Sequence, residues 1–446
     1  MTDHAAPQPV SLRTAFLYWL KLGFISFGGP AGQIALMHAE LVERRRWISE
    51  GRFLHALNYC MLLPGPEATQ LAVYIGWLLH RTRGGIIAGL LFILPSLLIL
   101  IGLAWIYLAF GHLPFVSGIM NGIKPAVVAI VLAAAWRIGS RTLRNRVLIA
   151  IAVAAFVAIA LLELPFPLIV LAAALCGVAG ARLRPAAFQP GGSHAARHAD
   201  AALPRPRALI DDDTPTPEHA RFSRARLALV VLIGVGLMLS AWLMLAYWGG
   251  VRGTLAQMGW FFTKAALLTF GGAYAVLPYV VQGAVEHYGW LTAPQMIDGL
   301  ALGETTPGPL IMIVAFVGFV GGWTQSVFGA AAPWLGGIAG ASVAALFTFL
   351  PSFVFILAGG PLVESTRGNL RLTAPLTAIS AAVVGVIASL ALYFGREVFF
   401  AGGSAQPQAI VLGLLAAIAL LRYKVGTISL LAACACAGLV LSYWHV

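Results

Sequence analysis

Long apolar runs separated by short polar interruptions fill almost the whole chain. Thirteen such segments stand out, near 14–38, 53–79, 84–110, 115–136, 147–163, 166–181, 227–248, 255–282, 295–322, 334–360, 372–395, 408–421 and 425–444. Residues 84–123 contain no Asp, Glu, Lys or Arg, and neither do residues 305–363. One membrane-crossing helix needs about 20 apolar residues, so each of these stretches has room for two. The pattern predicts an all-α polytopic membrane protein. Residues 182–226 depart from it. They hold eight arginines, five acids and the run Asp211-Asp212-Asp213, and read as a polar, flexible connector.

The chain resembles itself. A shift of 243 residues aligns Lys21 with Lys264, Phe27-Gly28-Gly29 with Phe270-Gly271-Gly272, Glu43 with Glu286, Trp47 with Trp290 and Pro64-Gly65-Pro66 with Pro307-Gly308-Pro309. After a 13-residue insertion, a shift of 256 aligns Leu94-Pro95-Ser96 with Leu350-Pro351-Ser352 and Ala126-Val127-Val128 with Ala382-Val383-Val384. Apolar matches are cheap in such a chain, but Lys, Trp, Gly-Gly and Pro-Gly-Pro in one register are not. The predicted organisation is a first repeat over 11–181, the linker 182–226, a connecting transmembrane helix over 227–248 and a second repeat over 255–444. One odd helix between two six-segment repeats turns the second copy over. The copies are then inverted repeats about a pseudo-twofold axis in the membrane plane, an arrangement that belongs to transporters.

Composition refines this picture. Only 10% of residues are charged, against about 25% in a soluble domain. The net charge of +12 would suggest nucleic acid in a soluble protein, but here the arginines sit between apolar segments and report topology. Arg81 and Arg83, the set Arg137, Arg141, Arg144 and Arg146, the linker, Arg367 with Arg371, and Arg422 with Lys424 share one side, expected to be cytoplasmic. This puts the N-terminus and the linker inside and the C-terminus in the periplasm. Arg44-Arg45-Arg46 and Arg52 join that side only if segments 14–38 and 53–79 are re-entrant hairpins of two half-helices, broken at Gly28-Gly29-Pro30 and Pro64-Gly65-Pro66. Irregular backbone at membrane depth needs protein or a water-filled cavity around it. Cys60, Cys176, Cys434 and Cys436 lie in apolar segments and are expected as small buried thiols without disulfides. The start of the chain does not read as a cleaved signal peptide.

The paired breaks point to a site. Pro-Gly-Pro prevents a continuous helix and leaves a half-helix start whose free N–H groups attract anions. The frame residues are Gly28, Gly29, Pro64, Gly65, Pro66, Gly271, Gly272, Pro307, Gly308 and Pro309. Lys21 and Lys264, each six residues before a Phe-Gly-Gly, are candidate cations, since an ammonium in the bilayer seeks a partner or a wet cavity. Snorkelling to the interface is their other reading. Lys124, before Pro125, is a third candidate, although its repeat partner is Ser380. Glu67 and Glu304 flank the two Pro-Gly-Pro breaks asymmetrically, opposite Leu310 and Met61, and are candidates for coupling or charge pairing. Ser26, Gln33, Asn58, Thr69, Gln70, Thr269, Thr305 and Thr306 could donate hydrogen bonds to an oxyanion. The chain has no P-loop and no paired-histidine metal motif, so no cofactor, metal or enzymatic chemistry is expected.

At these residues the sequence resembles the chromate ion transporter family. The resemblance rests on Phe27-Gly28-Gly29-Pro30, the Glu40–Trp47 stretch, Leu63-Pro64-Gly65-Pro66 and their second-copy counterparts, and covers nearly all of 11–444 apart from the linker. It implies a secondary transporter of the bacterial inner membrane that exports chromate and confers chromate resistance, with sulfate as a competitor. Protons as coupling ions and a homodimer are compatible with it. The alternatives are transport of sulfate or another oxyanion, including uptake, and, more remotely, a membrane-embedded enzyme. Gly271-Gly272-Ala273 stands where the first copy has Gly-Gly-Pro, which weakens a strictly symmetric site.

Overall fold

The computed structural model describes residues 9–188, 207–215, 217–270, 272–365 and 373–444. These residues form sixteen α-helices and no β-strand. The first copy comprises α1 (Leu12–Ile25), α2 (Gly29–His38), α3 (Glu50–Cys60), α4 (Glu67–Phe110), α5 (Pro114–Thr142), α6 (Arg146–Ala160) and α7 (Phe166–Leu183). Then α8 (Arg224–Gly249) connects to the second copy. That copy comprises α9 (Thr254–Leu268), α10 (Ala273–Val281), α11 (Ala293–Thr305), α12 (Ile313–Thr324), α13 (Pro333–Ser365), α14 (Thr373–Phe399), α15 (Pro407–Leu421) and α16 (Thr427–Trp444). Six helices among the described residues are long and apolar enough to cross a membrane.

Local chemistry sets the helix ends. The Ser49 hydroxyl accepts the Arg52 N–H and starts α3, and the Asn145 side chain does the same for α6. Thr292 and Gln295 form a reciprocal capping box on α11. The apolar segments 14–38, 53–79, 255–282 and 295–322 are each two short helices rather than one span. Their halves run 9 to 15 residues, too short to cross a bilayer at 1.5 Å per residue. Helix α4 doubles back at His80 and Arg81, whose backbone is non-helical. Its limbs 67–79 and 82–110 touch through Gly76 and Gly84, where a Cβ on Gly84 would lie 2.2 Å from the Gly76 carbonyl oxygen.

The two copies match element by element. Helices α1, α2, α3 and the first limb of α4 return as α9, α10, α11 and α12, and the second limb of α4 returns as α13. Helices α5, α6 and α7 return as α14, α15 and α16. A π-helical turn follows α2 at Ala39–Arg44 and follows α10 at Gln282–His287, the same 243-residue shift. The copies also touch reciprocally. The Gly65 N–H donates to the Thr269 carbonyl, and the Gly308 N–H donates to the Ser26 carbonyl, both at 2.8 Å. Ser26 and Thr269 are repeat images, as are Gly65 and Gly308. An exchange of this kind is what a twofold relation produces.

One expectation about the linker is corrected. Residues 207–215 and 217–223 are folded onto the first copy rather than flexible. The Leu209 N–H donates to the Arg46 carbonyl at 2.8 Å, the Ser49 N–H to Ile210 at 2.9 Å, and the Ser49 hydroxyl to Asp212 at 2.8 Å. The buried Arg52 guanidinium reaches the Thr214 carbonyl, and His219 meets the Trp77 carbonyl at 3.1 Å. The loop 44–52 and this part of the linker therefore share one side of the molecule, as re-entrant hairpins require. The cysteines are only half as expected: Cys60 and Cys434 are buried, whereas Cys176 and Cys436 are exposed on helix surfaces. Arg367 and Arg371 lie outside the described residues.

Candidate functional site

A cavity of about 280 Å³ sits where the broken helices meet. Its wall comes in repeat-equivalent pairs: Gly29 with Gly272, Pro30 with Ala273, Ala31 with Tyr274, Met61 with Glu304, and Glu67 with Leu310. The cavity thus lies on the pseudo-twofold axis. The first residues of α2, α10 and α4, and of the short 3-10 turn that leads into α12, all face it. First-turn N–H groups have no helical partner, and four helix starts give the space a positive potential.

The turns that aim these helices depend on glycine. Gly65 and Gly308 have φ of 122° and 104°, open to glycine and strained for other residues. A Cβ on Gly65 would lie 2.3 Å from the Ser352 hydroxyl, and one on Gly308 would lie 2.6 Å from the Ser96 Cβ. Ser96 and Ser352 are themselves repeat images, so each break is seated against the long helix of the opposite copy.

One side wall has no counterpart. Helix α5 lines the cavity with Ile130, Ala133, Ala134, Arg137, Ile138 and Arg141, one helical face by its i, i+3, i+4, i+7 spacing and about 17 Å long. Arg137 is close enough for its charge to act on Glu304 and Tyr274. The Tyr274 hydroxyl donates to the Glu304 carboxylate, while Glu67 opens onto the cavity from the first turn of α4. On the other side of the axis, α10 packs against α14 and all its residues except Tyr274 are buried. Its image α2 stands off α5, with only Gln33 and Met37 buried. The cavity occupies the resulting gap.

Several expected ligands are elsewhere. Lys21 is exposed, outside the buried stripe Ala15, Tyr18, Trp19 and Leu22 of α1. Lys264 lies over the Trp260 ring, 5.7 Å from its centroid, and faces a different crevice. Lys124 pairs with the buried Asp298 at 3.6 Å, neither of them in the cavity wall, and Tyr107 donates to the same carboxylate at 2.9 Å. Asn58 is exposed and lines nothing at the site. The hydroxyls of Ser26, Thr269, Thr305 and Thr306 bond back to carbonyls of their own helices, those of Leu22, Ala265, Leu302 and Gly303, which is how short polar side chains are satisfied inside a helix. Gln33 and Gln70 hold the backbone of the breaks, at Gly308 and Pro64. Thr69 is buried beside them without a hydrogen-bond partner for its hydroxyl. Pro66 and Pro309 cap the helix starts that follow them. Gly28, Gly29, Gly272, Glu67 and Glu304 do line the cavity; Gly271 lies outside the described residues. Sequence reasoning assigned Arg137 and Arg141 to topology alone. The available signal was that Arg137 continues the apolar periodicity of segment 115–136 toward its inner face.

Comparison with known proteins agrees with this duplicated plan. The family model described as Chromate transporter matches twice, over residues 13–178 and 256–439. The chain is 33% identical over 401 residues to a chromate transport protein of Pseudomonas aeruginosa, covering 86% of this chain and 82% of that one. It is 29% identical over 395 residues to a chromate transport protein of Cupriavidus metallidurans, covering 88% and 85%. The uncharacterized transporter YwrB of Bacillus subtilis is 32% identical over 126 residues, 28% of this chain and 64% of YwrB. No solved structure matches.

Proposed function

The chain belongs to the chromate transporter family, and from that premise we propose that it exports chromate across the bacterial inner membrane as a secondary transporter and so confers chromate resistance. The observation that carries this reading is the on-axis cavity, where four helix starts and Arg137 face one small space. Chromate is a tetrahedral dianion at neutral pH. Oriented N–H groups and a guanidinium replace its hydration without needing a base-specific or metal contact. Sulfate has the same charge and shape, and competes in this reading.

Positive charge sets the orientation. The loop 44–52 and Arg81 share a face with the described linker residues, and the sequence topology puts Arg83, Arg141 and Arg144 there too; that face is then read as cytoplasmic. The cavity ends on that face, at Arg141, Thr142, Leu420 and Thr427, so the structure is read as open inward. Inverted repeats supply the opposite state by exchanging roles. In it, α2 closes on α5 and α10 leaves α14. The two glutamates do not favour an anion while both are ionised. Protonation, or engagement with Arg137, removes that repulsion as the site fills. Export also needs no proton: one charge moved through 100 mV is worth about 2.3 kcal/mol, so a dianion leaving a negative interior gains about 4.6 kcal/mol, over a thousandfold in gradient.

The test is chromate uptake into everted membrane vesicles carrying the protein, with sulfate as competitor and a protonophore as control. Uptake that depends on the protein and is reduced by sulfate is expected. Equal uptake by vesicles without the protein overturns the reading.

A further inference from the structure

A second polar space lies apart from the transport cavity. It is a crevice of about 660 Å³ between α9, α10 and the loop that joins α6 to α7. Its apolar floor includes Leu267 and Leu268, and Trp260 beside it is 56% exposed, so this surface faces lipid. Three charges open into it: Lys264 on α9, Glu286 in the π-helical turn after α10, and Glu163 in the α6–α7 loop. None of them belongs to an ion pair among the described residues.

The charges are ordered along the membrane normal. Lys264 is ten residues into α9, about 15 Å below the helix start. Its ammonium lies over the Trp260 ring, one turn nearer that start, so the stem bends toward the outer interface. Glu286 and Glu163 stand at the outer ends of their elements. Burial, and then the Glu163 carboxylate, push the Glu286 carboxyl up from its ordinary range, as expected where two acids share a crevice.

We propose that this crevice binds the head group of an aminophospholipid of the outer leaflet, phosphatidylethanolamine. Such a lipid presents its phosphate deep and its primary ammonium nearer the water. Lys264 meets the phosphate, Glu163 and Glu286 meet the ammonium, and the Leu267–Leu268 floor follows the acyl chains. Phosphatidylglycerol has the phosphate but no ammonium. Phosphatidylcholine has a cation that cannot donate a hydrogen bond. Lys21 and Glu43 repeat the 22-residue spacing of Lys264 and Glu286, but Glu43 is engaged by His38 at 3.2 Å, so the site belongs to the second copy. The leaflet follows from the orientation proposed above. The binding chemistry does not, and neither depends on which anion is carried.

The experiment is native mass spectrometry of the full chain in detergent, titrated with phosphatidylethanolamine, phosphatidylcholine, phosphatidylglycerol or free phosphoethanolamine. One phosphatidylethanolamine retained per chain in preference to the other three is expected. Retention should fall roughly tenfold in Lys264→Gln and in Glu286→Gln, and survive in Lys264→Arg. Wild-type protein that holds phosphatidylglycerol or free phosphoethanolamine as tightly as phosphatidylethanolamine overturns the proposal, as do folded variants that bind the lipid like wild type. The wild-type selectivity decides the matter on its own if the variants do not fold.

Discussion

Gln33 and Gly308 meet across the boundary between the two copies: the Gln33 amide donates to the Gly308 carbonyl at 2.5 Å and reaches the Ser26 carbonyl at 3.4 Å. Ser26 also accepts the Gly308 N–H, so Gln33 clips one of the two reciprocal junction bonds. Its image in the second copy is Val276, which cannot do the same. Replacing Gln33 with Ala strands the buried Gly308 carbonyl and should cost about 1–3 kcal/mol. A thermal unfolding midpoint in detergent equal to wild type would show that the clip contributes nothing.

Glu67 and Glu304 face one cavity from opposite copies, and among the described residues only Glu304 has a tyrosine hydroxyl on it. Glu67→Gln and Glu304→Gln should each change the pH profile of chromate transport, because each removes a charge that the anion must otherwise tolerate. Tyr274→Phe should move the profile in the same experiment through Glu304. If both Gln variants keep the wild-type rate and profile, the carboxylates have no coupling role and the membrane potential alone is the better account of the proposed export.

The unequal packing of α2 and α10 gives a conformational prediction. Ile34 and Ile138 face each other's helices across the open cavity, while their images Leu277 and Phe394 are buried. A cysteine pair at 277 and 394 should cross-link in the resting protein and lock it inward-open. A pair at 34 and 138 should cross-link only during turnover and then abolish transport. Equal cross-linking of both pairs at rest would rule out the exchange of roles.

The linker should respond to pH. Burial holds His219 below the ordinary imidazole pKa, and the Arg81 and Arg226 charges act the same way. The undocked linker therefore binds a proton more readily than the docked one. Docking is favoured above about pH 6.5 and weakens as pH falls below it. Limited proteolysis of residues 207–223 should quicken between pH 7 and pH 5, and His219→Phe should flatten that dependence.

Much of the fold was legible because membrane burial writes itself in one dimension. Long uncharged runs, glycine–proline breaks and a repeated Lys, Trp and Pro-Gly-Pro register need no tertiary knowledge. The helix starts that face the cavity were legible for the same reason, since they follow from the missing N–H groups of Pro64, Pro66, Pro307 and Pro309. Side-chain direction was not. Lys21 and Lys264 share the repeat register with the breaks, yet the buried stripe of α1 turns Lys21 outward. Arg137 belongs to an arginine set that topology already explained, and its place in the cavity wall appears only when the face of α5 is known. Ser26, Thr269, Thr305 and Thr306 looked like anion donors, but their own helix carbonyls satisfy them first.

Arg137 lines the cavity with the helix starts, and its charge acts on Glu304, so the central claim rests on it most directly. The measurement is the chromate KM of uptake into everted vesicles for wild type, Arg137→Gln and Lys264→Gln at matched expression. The account predicts a rise of roughly tenfold or more for Arg137→Gln, about the value of one charge-assisted contact, and little change for Lys264→Gln. An unchanged KM in Arg137→Gln with a large rise in Lys264→Gln would contradict it.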